Sequence, residues 1–135
     1  KLLNFIFTYF IYTIIIFRTH WFYFMRSILL SYFKFFSQKN IEKLDKIFSD
    51  SIILKDWTVK IVGKKKVLNF NKKLFKKFKY IKVSIKEIIP KKLSNTFYCK
   101  IEIKLDKKRL NVIDIISFNK KFKIRKIEAY LGWKK

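Results

Sequence analysis

Three polar side chains stand among apolar neighbours in this sequence: Tyr32, Asp56 and Asp114. Asp114 lies within Leu110-Asn111-Val112-Ile113-Asp114-Ile115-Ile116-Ser117-Phe118, where strand alternation gives it the same face as Leu110, Val112, Ile116 and Phe118. A carboxylate on an apolar face is costly when ionised, so it either finds a partner or keeps its proton with a raised pKa. A protonated acid can donate a hydrogen bond to an oxyanion. Each of the three also has a plainer role open to it. Tyr32 can be a core aromatic with a satisfied hydroxyl, Asp114 a structural hydrogen-bonding group and Asp56 an ordinary loop aspartate. Other chemistries lack their parts. His20 is the lone histidine, and Cys99, the lone cysteine, excludes an internal disulfide and a thiolate zinc site. With glycine only at Gly63 and Gly132 there is no phosphate-cradling loop, and no serine, histidine and acid set suggests a hydrolase. Neither a cofactor nor a metal is expected.

The elements that must position these residues are helices first and strands afterwards. Ser27 is a suitable cap for a helix carrying Leu29, Tyr32, Phe33 and Phe36 on one face and ending near Gln38. Asn40 should cap a second helix with Ile41, Leu44, Ile47 and Phe48 inward, while Glu42 suits its positive end. A short strand, Ser51-Ile52-Ile53-Leu54, leads to Asp56-Trp57. After Gly63 a third helix turns Val67, Phe70, Leu74, Phe75 and Phe78 inward and Lys72, Lys73, Lys76 and Lys77 outward. Its opening run Lys64-Lys65-Lys66 opposes the helix dipole, and a solvated charge run or an anion site are the two readings of it. From Ile81 the period becomes two: Ile81, Val83 and Ile85, then Phe97, Cys99, Ile101, Ile103 and Leu105 alternate with polar residues. Leu110 to Phe118 reads as a central strand and Phe122 to Leu131 as the strand that closes the sheet. Short polar connections make these strands hairpins, which gives an α+β layout.

Half of the 135 residues are apolar, enough for one domain with one core. The net charge of +24 would ordinarily point to nucleic acid or an anionic surface. Lysine supplies nearly all of it, however, with arginine only at Arg18, Arg26, Arg109 and Arg125. Lysine scattered over every element, with abundant Ile, Phe, Asn, Leu and Tyr, is the usage of an AT-biased genome, so a nucleic-acid partner is not expected. Residues 1–24 differ from the rest. Leu2 to Phe17 carries no charge and is followed by Arg18-Thr19-His20-Trp21. It is somewhat shorter than the roughly 20 residues of a spanning helix, and no small-residue cleavage site follows it. An upstream extension is the expectation, with a membrane anchor over residues 2–17 as the alternative; the domain proper is expected over residues 25–135, in the cytoplasm.

From about Ser27 to Gly132 the sequence resembles the nuclear-transport-factor-2-like superfamily, which includes SnoaL-like proteins and ketosteroid isomerase. The resemblance is carried by Ser31-Tyr32, Asn40-Ile41-Glu42-Lys43-Leu44-Asp45-Lys46-Ile47-Phe48-Ser49-Asp50, Gly63-Lys64-Lys65-Lys66-Val67, Asn111 to Phe118, and Lys126-Ile127-Glu128-Ala129-Tyr130-Leu131. It implies a cone-shaped cystatin-like α+β roll, three helices packed in a strongly bent antiparallel sheet, with a pocket in its mouth and homodimers formed through the sheet. Ketosteroid isomerases place a tyrosine on the first helix, a general-base aspartate after the first strand and a protonated aspartic acid on a central strand. Tyr32, Asp56 and Asp114 match those positions. The resemblance therefore implies that Asp56 moves a proton next to a carbonyl while Tyr32 and Asp114 stabilise the dienolate oxygen. Phe33, Phe36, Trp57, Phe70, Val112, Ile116 and Phe118 would line the pocket around a small hydrophobic ligand. Lys55 and Trp57 flank Asp56 where the family often has an acid and a proline, and Asn71 stands where some isomerases carry a supporting tyrosine. A noncatalytic ligand-binding or dimerisation module on the same fold, or a basic membrane- or nucleic-acid-associated protein, are the other functions that this sequence leaves open.

Overall fold

In the computed structural model, which describes residues 1–132, the chain begins with one unbroken helix, α1 (Leu2–Ser37). The expected start at Ser27 is therefore corrected. Ser27 lies inside the helix, and its hydroxyl donates to the Phe24 carbonyl at 2.6 Å instead of capping. The cause is local: no proline or glycine interrupts residues 2–37, so nothing ends the helix that the apolar segment starts. Helix α2 (Ile41–Ile47) begins as expected, with the Asn40 side chain accepting from the Lys43 N–H at 3.0 Å. Helix α3 (Lys64–Lys77) follows Gly63, whose φ of 98° is open to glycine and strained for other residues. Lys64 is not free to hold an anion. It pairs with Asp50 at 3.0 Å and Asp45 at 3.5 Å, tying the start of α3 to the α2 region.

Six strands form one sheet in the order β2-β1-β6-β5-β4-β3. They are β1 (Phe48–Lys55), β2 (Lys60–Val62), β3 (Ile81–Pro90), β4 (Thr96–Leu105), β5 (Lys108–Phe118) and β6 (Ile124–Leu131). The expectation of a purely antiparallel sheet is corrected in one place: β1 pairs with β6 in parallel. The long excursion through α3 and the β3–β5 hairpins brings the chain back beside its first strand in the same direction. Register shifts between Ile85 and Glu87, between Ser117 and Phe118 and between Phe48 and Ile53 mark irregular pairing that bends the strands. The sheet thereby curls around the helices.

The core fills the concave side. Leu29, Tyr32 and Phe33 of α1, Leu44 of α2, and Val67 and Phe75 of α3 pack onto Phe97, Cys99, Ile101, Val112, Ile116, Phe118, Ile124 and Ile127. Each such side chain contributes roughly 1.5–3 kcal/mol by leaving water. Packing of α1 starts at Trp21 and Phe22, within the segment read as an extension. Trp21 meets Phe122 edge-on at 5.2 Å, and Phe22 lies 5.9 Å from Phe97. Lys1 to His20 are all exposed. At the other end of α1, the Ser37 hydroxyl accepts the Val83 N–H of β3 at 2.9 Å.

Candidate functional site

A cavity of about 140 Å³ opens between α1, α3 and the concave face of the sheet, at the end where β1 finishes and β5 begins. Tyr32, Asp56 and Asp114 all line it, so residues far apart in the sequence meet in one place. Phe33, Phe36, Trp57, Phe70 and Val112 line it as well. Ile116 and Phe118 do not. Each two-residue step along β5 moves a side chain about 6.6 Å, and beyond Asp114 those steps run into solid core, where Phe118 packs edge-on against Phe97 at 5.9 Å. Asp114 is thus the deepest lining residue of β5.

Three polar groups in this cavity have no protein partner among the described residues. The Tyr32 hydroxyl, the Asn71 amide and the Asp114 carboxyl make no hydrogen bond among the described residues, although all three residues are buried. Among the described residues no interior side-chain nitrogen or oxygen is both sealed off and unpaired, so these groups keep their open surface toward the cavity. Sequence reasoning noted Asn71 but did not place it in the site. The signal was available, because Asn71 follows Val67 by one helical turn and shares its inward stripe.

Burial sets the charge states. It pushes Asp114 up from 3.8 to about 7, so near neutrality the acid is poised to hold or lose its proton. Tyr32 is raised well above 10, first by burial and then by the charges of Asp114 and Cys99, and remains a hydroxyl donor. Cys99, opposite Asp114 in the β4–β5 register, is pushed to about 12 by burial and by Asp114. Its thiol stays protonated, as expected of a packing residue.

Asp56 is held differently. It follows β1, where the chain reverses into β2, and its Oδ1 accepts from the Thr58 N–H at 2.7 Å, the Thr58 hydroxyl at 2.8 Å and the Val59 N–H at 2.8 Å. These bonds fix the rotamer and leave Oδ2 without a protein partner among the described residues. Asp56, Trp57 and Ala129 also border an outer hollow of about 330 Å³ with Lys55, Glu128, Tyr130 and Leu131. Asp56 therefore stands in the wall between cavity and solvent, and Trp57, 47% exposed, flanks the opening. A fixed carboxylate at the rim with hydroxyl and acid donors at the floor is an arrangement that can exchange protons with one ligand at two points. No group of three or more metal-ligating side chains occurs among the described residues.

No protein-family model matches the chain, and no curated protein matches it by sequence. Solved structures match its fold. An NTF2-like protein of unknown function from Cytophaga hutchinsonii superposes with a TM-score of 0.68 at 14% identity, over 80% of this chain and 89% of the other. A candidate ketosteroid isomerase from Kribbella flavida gives 0.69 at 11% identity over 82% and 79%. A candidate SnoaL-like polyketide cyclase from Jannaschia gives 0.70 at 7% identity over 80% and 85%. The fold is thus the NTF2-like, cystatin-like α+β roll that the sequence resembles.

Proposed function

We propose that this chain binds a small hydrophobic carbonyl compound and shifts a double bond in it by proton transfer. Asp56 takes a proton from the carbon between the carbonyl and the double bond, leaving a dienolate. Its oxygen accepts hydrogen bonds from the Tyr32 hydroxyl and the protonated Asp114, and Asp56 returns the proton at the far carbon, giving the conjugated isomer. Nothing is oxidised, and no cofactor is needed. The single observation that supports this reading is the set of bare donors, Tyr32 and Asp114 with Asn71 beside them, facing an apolar cavity. Donors held in place before reaction are worth most where water is scarce.

Cavity size narrows the ligand. A dry cavity of about 150 Å³ holds a benzene, so about 140 Å³ suits one ring or a short enone. A tetracyclic ligand would need Trp57 to move aside. The test is conversion of a one-ring β,γ-unsaturated ketone to its conjugated isomer, followed by ultraviolet absorbance. Asp56→Asn should lower the rate by roughly 10²–10⁴-fold. No turnover of such ketones by the intact chain, or turnover unchanged in Asp56→Asn, would remove the mechanism. A second reading, a noncatalytic dimerisation module, is favoured by the outer sheet face, where Ile113 and Tyr130 are register partners, Tyr98 lies diagonal to Ile113, and all three are exposed.

A further inference from the structure

The N-terminal half of α1 has no counterpart in the site, and its surface is unlike that of a water-facing helix. We infer that this segment crosses a lipid bilayer, with the β3–β4 loop seated in the headgroup layer beside it. From Leu2 to Phe17 no side chain is charged, and the large apolar residues are exposed on every face, Leu3 by 83% and Phe5 by 72%. A helix apolar all round suits lipid; a second copy of the chain would cover one stripe and leave the others wet. The segment is also not a core helix, since none of its apolar window is buried.

The threonine hydroxyls are settled as hydrocarbon requires, whereas the Asn4 amide and the Tyr9 and Tyr12 hydroxyls have no partner among the described residues. The Thr8, Thr13 and Thr19 hydroxyls each donate to the carbonyl four residues earlier, at 2.7, 2.8 and 2.8 Å. Leu2 to Trp21 rises about 30 Å, the thickness of a bilayer's hydrocarbon layer. At its lower border stand Arg18, His20, Trp21 and Tyr23, with Arg26 a turn further on. Arg18 can extend its guanidinium toward the headgroups while its stem stays in hydrocarbon, and Trp and Tyr favour that level. The first acidic residue is Glu42, so nothing on this stretch repels anionic lipid.

A second contact lies at the same height. The β3–β4 loop carries Lys91 and Lys92 next to Leu93, which is 73% exposed at the loop tip. The loop and α1 enclose a groove of about 660 Å³ bordered by Ile14, Phe17, Arg18 and Trp21 on one side and Lys92 and Leu93 on the other. Its lining passes from hydrocarbon to cationic at the end of the uncharged run. A headgroup layer has that gradient.

The full chain should be reconstituted in phosphatidylcholine–phosphatidylglycerol vesicles, washed with alkaline carbonate and 1 M salt, and floated. Because Cys99 is buried, Ile6→Cys, Leu93→Cys and Lys107→Cys can each carry a polarity-sensitive fluorophore at an exposed position. The chain should float with the vesicles. The probe at position 6 should be quenched by nitroxides deep in the acyl chains, that at 93 by headgroup nitroxides and that at 107 by neither. Release by salt would reduce the attraction to lysine charge alone and overturn the inference. So would headgroup-level quenching at position 6, which means a helix lying flat, or a water-soluble oligomer that shields position 6 without lipid.

Discussion

Asp114 carries an energetic cost that depends on pH. The residue is 5% exposed and its carboxyl has no hydrogen-bonding partner among the described residues, while in the unfolded chain it would be hydrated with the ordinary value of 3.8. Raised to about 7 in the fold, it binds its proton more tightly there than in the unfolded chain. Stability is therefore greatest below the unfolded value and declines as pH rises from about 4 to about 7, then levels off. About three pKa units correspond to on the order of 4 kcal/mol. Asp114→Asn should remove this decline, so that urea midpoints measured between pH 4 and pH 9 become flatter and the variant exceeds the parent at high pH. A variant with the parent's slope would show that the titration belongs elsewhere. Tyr32 adds no such dependence below pH 10, because the fold keeps its hydroxyl protonated throughout.

Gly63 determines how α3 leaves β2. Its N–H donates to the Ile52 carbonyl at 2.8 Å and its carbonyl accepts the Val67 N–H at 3.0 Å, at a φ of 98°. Nothing lies within 4 Å of a Cβ built there, so Gly63→Ala meets backbone strain and no clash. A loss of roughly 1–3 kcal/mol is expected, read as a lower urea midpoint with unchanged slope; an unchanged midpoint would contradict the strain. Elements with strong local signals were legible in the sequence: α2 from Asn40, α3 from its lysine and apolar faces, β3 and β4 from alternation, and β5 from a run apolar on both faces. The start of α1 was not, because an all-apolar run has no period to interrupt and Ser27 looks the same inside a helix as before one. Strand β2 was missed because three residues, Lys60 to Val62, carry little pattern; the hydrogen bonds of Asp56 to Thr58 and Val59 create the reversal that makes it a strand. The parallel β1–β6 pairing joins segments about seventy residues apart and leaves no local trace. In the cavity, alternation placed Asp114 inward, yet nothing along β5 says where lining ends and solid core begins, so Ile116 and Phe118 were included with Val112.

Cys99 reports on the molecule as a unit. It lies on β4 with β3 and β5 paired on either side, 0% exposed, and its thiol is held protonated. Reaction with a thiol reagent in native buffer therefore requires the sheet to open. Labelling should be slower than in the unfolded chain by a factor near the unfolding equilibrium constant, roughly 10³–10⁸ for domains of this kind, and should slow further when a ligand fills the cavity. Rapid labelling would mean that β4 opens locally. The fold also gives the pocket a direction. Met25 and Phe22 of α1 meet the closed end of the cone near Phe97, whereas Ser37 reaches the end where Asp56 and Trp57 flank the opening. With residues 2–21 in a bilayer, the stretch of α1 from Trp21 to Ser37 holds that opening about 24 Å from the lipid, pointed away from it. Whatever enters must arrive from the water, which favours a compound soluble enough to travel there over one handed across from the membrane.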